Sequence, residues 1–327
     1  MNLNLTKITF LIMLMFSSLT TISSSNWLAM WMGLEINLFS IIPILNFKNS
    51  IYSIESSMKY FLIQAFASIL LLIFLIYKSM FFLLYKDNNF MIIIPLLIKL
   101  SLMPFHLWLP SMIEGLNWYV CLLLMTWQKI APMIMISYLI INKNLMFMIM
   151  LTNMNSIIGM NQNSLRKILA FSSINNSTWM LITIIINENI WINYLFIYSM
   201  LNLMIIMILN KYNINYINQL KFFNLNFFFK LNVLMMIFSI MGLPPMLGFL
   251  MKWFLIKMLI YNKMMLILMM LISLTIMNLY FYIKLTYYLL FNFNILNKWF
   301  YQNKHFNMNL IFFMNFFSIF FNYILIY

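Results

Sequence analysis

The sequence predicts an all-α, polytopic membrane protein with about eleven transmembrane helices. Hydrophobic residues make up 65% of the 327 residues and charged residues only 7%, whereas a soluble domain carries about 25% charged residues. Apolar runs of about 20 residues recur along the chain, and this is the length that a helix needs to cross the hydrocarbon of a bilayer. We therefore expect a single transmembrane domain over residues 1–327.

Polar residues separate the apolar runs and set the limits of the predicted spans. Each span is an apolar stretch bounded by residues such as Asn, Ser, Thr or Lys. The predicted spans are residues 5–22, 26–45, 57–77, 90–108, 118–141, 145–160, 165–187, 190–210, 231–261, 264–290 and 309–327. Because their number is odd, the two termini are expected on opposite sides of the membrane.

Two of these spans are expected to be broken helices, near residues 90–108 and 231–261. The first contains P-L-L-I-K-L-S-L-M-P-F-H-L-W-L-P from Pro95, and the second contains G-L-P-P-M-L-G from Gly242. Non-helical backbone at membrane depth is tolerated only inside protein or beside water. The breaks therefore predict an internal polar path, and a pair of interrupted segments is typical of transporters built from repeats.

Four ionisable side chains lie inside predicted spans: Glu35, Lys99, Lys129 and Lys252. A charge at mid-membrane costs about 2.5–3.5 kcal/mol, so such residues are usually paired, hydrated or functional. Lys129 lies about 17 Å from either end of its span, farther than a lysine readily snorkels. One acid and three lysines predict a proton path. The alternative is that these residues have only a structural role. A helix break would then simply stabilise a lysine ammonium, and Glu35 would form a structural ion pair with one lysine.

His106 follows the first break and is a candidate proton relay. Imidazole changes charge near neutral pH, although it could instead bond a carbonyl freed by the break. Lys78, Lys257 and Lys284 lie nearer to segment ends, where snorkelling to the headgroups is expected.

The distribution of basic residues indicates the orientation of the chain, and its composition indicates its genetic origin. Most basic residues fall on the N-terminal side of the membrane. By the positive-inside rule this side faces the cytoplasm-like compartment, which in a mitochondrion is the matrix. Met 35, Phe 33 and Tyr 18 against Gly 5 and a single arginine reflect A/T-rich codons and predict an organellar gene. The N-terminal side collects Lys7, Lys48, Lys59, Arg166, Lys167, Lys211, Lys221, Lys230, Lys298 and Lys304, and the other side Lys78, Lys86, Lys143 and Lys263.

Several functional classes find no support in the sequence. The net charge of +14 is dispersed over short connections and forms no basic face, so no nucleic acid partner is expected. A phosphate-binding loop, a dinucleotide fingerprint and a metal-ligand cluster are all missing from the sequence. Cys121 is the lone cysteine, and His106 and His305 are far apart. We therefore expect no cofactor in this chain.

Four motifs resemble the antiporter-like membrane subunits of mitochondrial respiratory complex I, in an insect-type version. They are I-K-L-S-L-M-P-F-H-L-W-L-P from Ile98, T-W-Q-K-I-A-P from Thr126, L-R-K-I-L-A-F-S-S-I from Leu165 and G-L-P-P-M-L-G-F-L-M-K-W from Gly242. The resemblance implies an antiporter-like fold whose mitochondrial form lacks the first three helices of its bacterial counterpart. It also implies membrane lipids and other membrane-arm subunits, including antiporter-like neighbours, as partners.

The resemblance also implies roles for the four charged residues. Glu35 corresponds to the acidic residue of the family, Lys99 and Lys252 to the lysines of the two broken helices, and Lys129 to the central lysine. These residues would move protons across the inner mitochondrial membrane, coupled to electron transfer from NADH to ubiquinone. NADH, FMN, iron–sulfur clusters and ubiquinone would bind to other subunits.

The chain departs from the family pattern at three places. Ser101 stands where the family usually has glycine, and Met251 where it often has proline. After S-S-I the family continues A-H-M-G-W, whereas this chain continues N-N-S-T-W from Asn175, so a titratable histidine is replaced by Asn176. Two alternatives stay open: a structural subunit through which no proton passes, and a free-standing cation/proton antiporter.

Overall fold

The computed structural model describes residues 5–47, 50–80, 90–139, 153–186, 190–221, 227–244 and 246–290. These residues are organised as α-helices and their connections, with one isolated antiparallel bridge between Ser164 and Tyr216. The chain divides into two compact units between Asn155 and Ser156. The prediction of a single transmembrane domain over residues 1–327 stays a prediction.

The first unit contains the helices that carry Glu35, Lys99 and Lys129. Helix α2 packs against α1 and α3, and α3 also packs against α4 and α5. The helices are α1 (Leu5–Ser23), α2 (Trp27–Leu45), α3 (Ile51–Met80), α4 (Phe90–Lys99), α5 (Trp108–Ile113), α6 (Trp118–Met125) and α7 (Ile130–Ser137), with a 3-10 turn at Trp127–Lys129.

The second unit contains the helices around Lys252. It also contains most of α8, whose first three residues precede the boundary between Asn155 and Ser156. Helix α9 packs against α10, α13 and α14, and α12 packs against α10, α13 and α14. The helices are α8 (Asn153–Met160), α9 (Leu165–Ile186), α10 (Ile190–Tyr212), α11 (Ile217–Lys221), α12 (Phe227–Met241), α13 (Leu247–Tyr261) and α14 (Met265–Leu290).

Seven stretches of the described chain are helical, apolar and long enough to cross a membrane, and each coincides with a predicted span. The chain is therefore a multi-pass, all-α membrane protein. The seven are Leu5–Ser23, Trp27–Leu45, Ile51–Met80, Trp118–Ser137, Leu165–Ile186, Ile190–Tyr212 and Met265–Leu290.

The other four predicted spans have different outcomes. Span 309–327 and the first half of span 145–160 lie outside the described residues. Span 90–108 contains α4 followed by non-helical backbone, and span 231–261 contains α12 and α13. The count of eleven therefore stays a prediction.

Four of the described residues just after helix ends adopt left-handed backbone, and two of them, Ser101 and Gly242, lie at the predicted breaks. Ser101 has a φ of +56°, two residues after the end of α4, and Gly242 has a φ of +79°, directly after the end of α12. This region favours glycine because a Cβ atom crowds the following carbonyl there. The Ser101 backbone thus explains why a glycine suits that position, and it shows that this chain accepts the same turn with a serine.

Candidate functional site

Lys99 is the last residue of α4 and is buried, with 9% of its surface exposed. Side chains of other helices bond the carbonyls near this helix end. Gln64 Nε2 on α3 donates to the Lys99 carbonyl at 3.5 Å, and Trp108 Nε1 on α5 donates to the Ile98 carbonyl at 3.2 Å. Because helix C-termini carry partial negative charge, the position also favours a cation.

Lys129 is the most deeply buried of the three lysines, with 3% of its surface exposed. It ends the 3-10 turn that separates α6 from α7, so the span predicted as continuous changes its helical geometry at this residue. Pro132 explains the change. Its ring clashes with the carbonyl of Gln128, four residues earlier, and it has no N–H to donate to that carbonyl. The Thr126 hydroxyl also bonds the Leu122 carbonyl at 2.7 Å, a contact that bends helices.

Lys99 and Lys129 line one cavity in the first unit, of about 30 Å³. This volume admits at least one water molecule, since about 10–15 Å³ suffices for one. Five polar side chains join the two lysines in its wall: Asn37, Tyr60, Gln64, Ser101 and Gln128.

A chain of hydrogen bonds orders part of this wall. Gln128 Nε2 donates to Asn37 Oδ1 at 2.9 Å, and the Tyr60 hydroxyl donates to Gln128 Oε1 at 3.5 Å. The Tyr60 ring in turn packs edge-on against Trp108, with 6.0 Å between ring centroids. The wall of the cavity is therefore partly polar, and these contacts join side chains of α2, α3, α5 and the 3-10 turn.

Glu35 lies on α2, half-buried, and its charge reaches the Lys99 ammonium. Within the described residues the two groups do not form an ion pair at 4.0 Å or less. Glu35 is also not part of the wall of the lysine cavity. The structure thus places the predicted acid near its predicted partner, at a separation longer than a direct bond.

His106 is buried in the connection between α4 and α5, with 4% of its surface exposed. The Pro104 backbone interacts with the imidazole, but neither ring nitrogen makes a hydrogen bond of normal geometry. His106 does not line the cavity of Lys99 and Lys129. Its role as a relay stays a prediction.

Lys252 lies on α13 in the second unit and is 9% exposed. Its Nζ donates a hydrogen bond of 3.0 Å to the carbonyl of Met241, the last residue of α12. Gly242 makes this approach possible, because a Cβ atom there would lie 3.0 Å from Nζ. The lysine predicted for the second break therefore caps the helix end at that break.

A second cavity, of about 20 Å³, adjoins Lys252. Asn176, Tyr194 and Tyr198 line it together with the lysine, and the Tyr194 hydroxyl donates to Asn176 Oδ1 at 2.9 Å. Asn176, the residue that replaces the family's histidine, thus faces the same space as Lys252.

Sequence reasoning missed the polar residues of α10. Tyr194, Tyr198 and Asn202 are all buried, with 1–5% of their surfaces exposed. Their spacing of four residues places them on one helix face, which is a signal available in the sequence. They were overlooked because tyrosine and asparagine carry no charge, and only charged residues stand out in an apolar span.

Comparison with known proteins identifies the family. Residues 24–278 match the family described as NADH:quinone oxidoreductase/Mrp antiporter, TM. NADH-ubiquinone oxidoreductase chain 2 of Anopheles gambiae is 44% identical over 285 residues, which is 84% of this chain and 83% of that protein. The same chain of Locusta migratoria is 40% identical over 291 residues, covering 86% of this chain and 84% of that protein.

The fold also matches a solved structure. A chain of respiratory complex I from Thermus thermophilus, determined with bound aureothin, superposes with a TM-score of 0.77 and 19% identity, over 88% of this chain and 71% of that one. At that identity the likeness establishes an antiporter-like fold. The chain belongs to the NADH:quinone oxidoreductase/Mrp antiporter family and, within it, to the chain 2 group of NADH-ubiquinone oxidoreductase.

Proposed function

We propose that this chain is a membrane-arm subunit of respiratory complex I that contributes to proton translocation, coupled to electron transfer from NADH to ubiquinone in other subunits. Its relatives carry the name of that oxidoreductase, which supports the assignment. The single observation that carries the proton-moving role is the cavity that the buried residues Lys99 and Lys129 both line and that has room for water.

The chemistry of this cavity follows from charge and burial. Burial and a neighbouring ammonium both disfavour the charged form of a lysine, whereas an approaching carboxylate favours it. Glu35 acts on Lys99 from outside the cavity, so a change in their separation would load or release the Lys99 proton. The released proton would pass through water to Lys129, and Lys252 would pass it on.

The driving energy must come from elsewhere in the complex. Moving one proton against 100 mV requires about 2.3 kcal/mol. We propose that this chain binds no cofactor and that quinone chemistry in other subunits supplies this energy.

The finer features of the prediction are part of the proposal. We place the chain in the inner mitochondrial membrane as one domain of eleven spans, with broken helices near residues 90–108 and 231–261 and the N-terminus in the matrix. Its partners would be other membrane-arm subunits, antiporter-like neighbours included, and lipids. The non-helical backbone after Lys99 and at residues 242–244 supports the two breaks.

Native electrophoresis of solubilised mitochondrial membranes tests the assignment. The proposal predicts that this chain co-migrates with NADH dehydrogenase activity. A chain that migrates away from this activity, and that exchanges cations for protons when purified alone into liposomes, would instead be a free-standing antiporter.

A structural role is the second candidate, and one observation favours it. The Lys252 ammonium bonds the Met241 carbonyl and could serve only to close the end of α12. On that account, Lys252→Met would prevent assembly of the complex. The proton-path account predicts an assembled complex that oxidises NADH with a lower proton yield.

A further inference from the structure

A group of buried hydroxyls lies beside Lys252, and the path described so far does not use it. Tyr194 and Tyr198 line the cavity that Lys252 also lines. Its volume of about 20 Å³ admits a water molecule, since about 10–15 Å³ suffices. One water molecule there could bond both the ammonium and a tyrosine hydroxyl.

The polar face of α10 extends away from this cavity. Tyr194, Tyr198 and Asn202 are four residues apart, and at a rise of about 1.5 Å per residue they cover about 12 Å along the helix axis. That distance is more than a third of the roughly 30 Å of hydrocarbon that a helix must cross. The face is therefore oriented along the direction in which a proton must travel.

Two other helices supply hydroxyls to the same cluster. Tyr282 on α14, 3% exposed, lies close enough to Tyr194 and Tyr198 to interact with both electrostatically. On α9, Ser173 lies beside Tyr198, and Ser172 lies beside Tyr282. Three tyrosines and two serines from three helices thus form one cluster, in which Tyr194 and Tyr198 adjoin the cavity of Lys252.

This cluster is more polar than helix packing requires. Helices α9 and α14 are already joined by an amide hydrogen bond from Asn175 Nδ2 to Asn278 Oδ1. Phenylalanine would fill the same volume as tyrosine without placing a hydroxyl in an apolar interior, where an unbonded hydroxyl costs free energy. The amide of Asn176 cannot exchange a proton as a hydroxyl can, because it has no ionisable group.

We propose that Tyr194, Tyr198 and Tyr282 form a hydroxyl relay that takes the proton released by Lys252 and passes it to Ser172 and Ser173. This inference rests on the proposed function, because it assigns the path that follows Lys252. The hydroxyls of Tyr194, Ser172 and Ser173 donate to Asn176 Oδ1 and to two α9 carbonyls, so each must first rotate toward the next oxygen. In each step an oxygen then accepts a proton while its own hydroxyl proton moves on, so no tyrosine stays charged. Lys252 becomes a neutral amine, and the last serine passes its hydroxyl proton to a water molecule, which carries it out of the cluster as hydronium. Rotation of the hydroxyls then resets the relay.

The relay is tested by single Tyr→Phe substitutions in the assembled complex. Tyr198→Phe and Tyr282→Phe each remove one relay oxygen from a different helix while retaining the ring. We expect assembly and NADH oxidation in the presence of an uncoupler to persist, and protons pumped per NADH to fall by about twofold or more. The matched control is Tyr280→Phe, because Tyr280 lies on α14 with 58% of its surface exposed.

A rescue variant separates proton transfer from helix packing. Tyr194 bonds residue 176, so Asn176→His places an exchangeable imidazole next to the missing hydroxyl of Tyr194→Phe. The relay predicts that the double variant pumps more protons per NADH than Tyr194→Phe alone. A purely structural hydroxyl predicts no such recovery.

Two results would overturn the relay. One is an unchanged proton yield in assembled Tyr198→Phe and Tyr282→Phe complexes, and the other is loss of assembly in both, which would make the hydroxyls structural. Lys129→Met distinguishes the relay from the proposed function: if that substitution lowers the yield and the tyrosine variants do not, the relay alone is wrong. If neither lowers it, the proposed function fails as well.

Discussion

At the scale of single residues, each buried lysine in the described part of the chain lies at, or bonds, the end of a helical segment. Lys99 ends α4, Lys129 ends the 3-10 turn, and Lys252 bonds the last carbonyl of α12. The partial negative charge of a helix C-terminus stabilises an ammonium at such a position. A cation held by dipoles can lose its proton without leaving an unpaired acid behind. This arrangement suits exchange better than a fixed ion pair.

Gly242→Ala tests how closely Lys252 depends on its helix end. The left-handed backbone at Gly242 costs an alanine about 1–2 kcal/mol, and the new Cβ atom would press on Nζ at 3.0 Å. We expect a less heat-stable complex and a lower proton yield, measured by thermal inactivation and by pumping in vesicles. Gly159→Ala is the control, because its Cβ atom would meet Phe171 at an ordinary 3.4 Å.

Gln128→Glu tests the lysine cavity through charge alone. The substitution preserves shape and puts a carboxylate into the wall that Lys99 and Lys129 share. A carboxylate stabilises the charged form of a nearby amine, so release of the proton is disfavoured. We expect coupled NADH oxidation and pumping to slow together in an assembled complex. Gln162→Glu, outside the cavity, should leave both rates unchanged, and equal rates for the two variants would contradict this role of the cavity.

At the scale of helices, the turn between α6 and α7 shows where sequence reasoning succeeded and where it stopped. The distance of Lys129 from both ends of its span predicted that it is buried, which the structure confirms. The change to 3-10 geometry was not predicted. Pro132 is a signal for it in the sequence, but a proline inside an apolar run does not always alter a helix. Pro43 lies inside α2, which is continuous from Trp27 to Leu45.

Pro132→Ala tests whether the turn positions Lys129. Alanine restores an N–H that can bond the Gln128 carbonyl, so α6 and α7 can join into one helix. We expect an assembled complex of equal or greater stability whose proton yield is lower, because Lys129 would be rotated away from its cavity. Pro43→Ala is the matched control. A normal yield from Pro132→Ala would show that the turn is dispensable.

At the scale of the whole molecule, the lengths of the apolar runs and the charges inside them predicted more of the structure than local backbone signals did. Seven of the spans follow from hydropathy because a helix is the form that satisfies its own backbone in lipid. The proximity of Lys99 and Lys129 could not be read from residues 30 positions apart, since tertiary packing decides it. Neutral polar groups such as Tyr198 and Gln128 were missed for the same reason: only packing shows that they face a cavity.

The orientation of the chain is open to direct measurement. Thr6 and Ser25 lie at opposite ends of the first apolar helix, and both are exposed. The native Cys121 is buried. With the N-terminus in the matrix, a membrane-impermeant maleimide should label Ser25→Cys in mitoplasts and Thr6→Cys only in inverted vesicles. The reverse pattern would show that the N-terminus faces the other side.

Proton yield in a Lys129→Met complex tests the central claim most directly. The measurement is protons pumped per NADH oxidised in vesicles containing the fully assembled complex. The control is Lys257→Met, because Lys257 is exposed on α13 with Nζ 3.4 Å from the centre of the Trp253 ring. We predict a lower yield for Lys129→Met and a normal yield for Lys257→Met. A Lys129→Met complex that assembles and pumps as many protons per NADH as the unmodified one would contradict a proton path through Lys129.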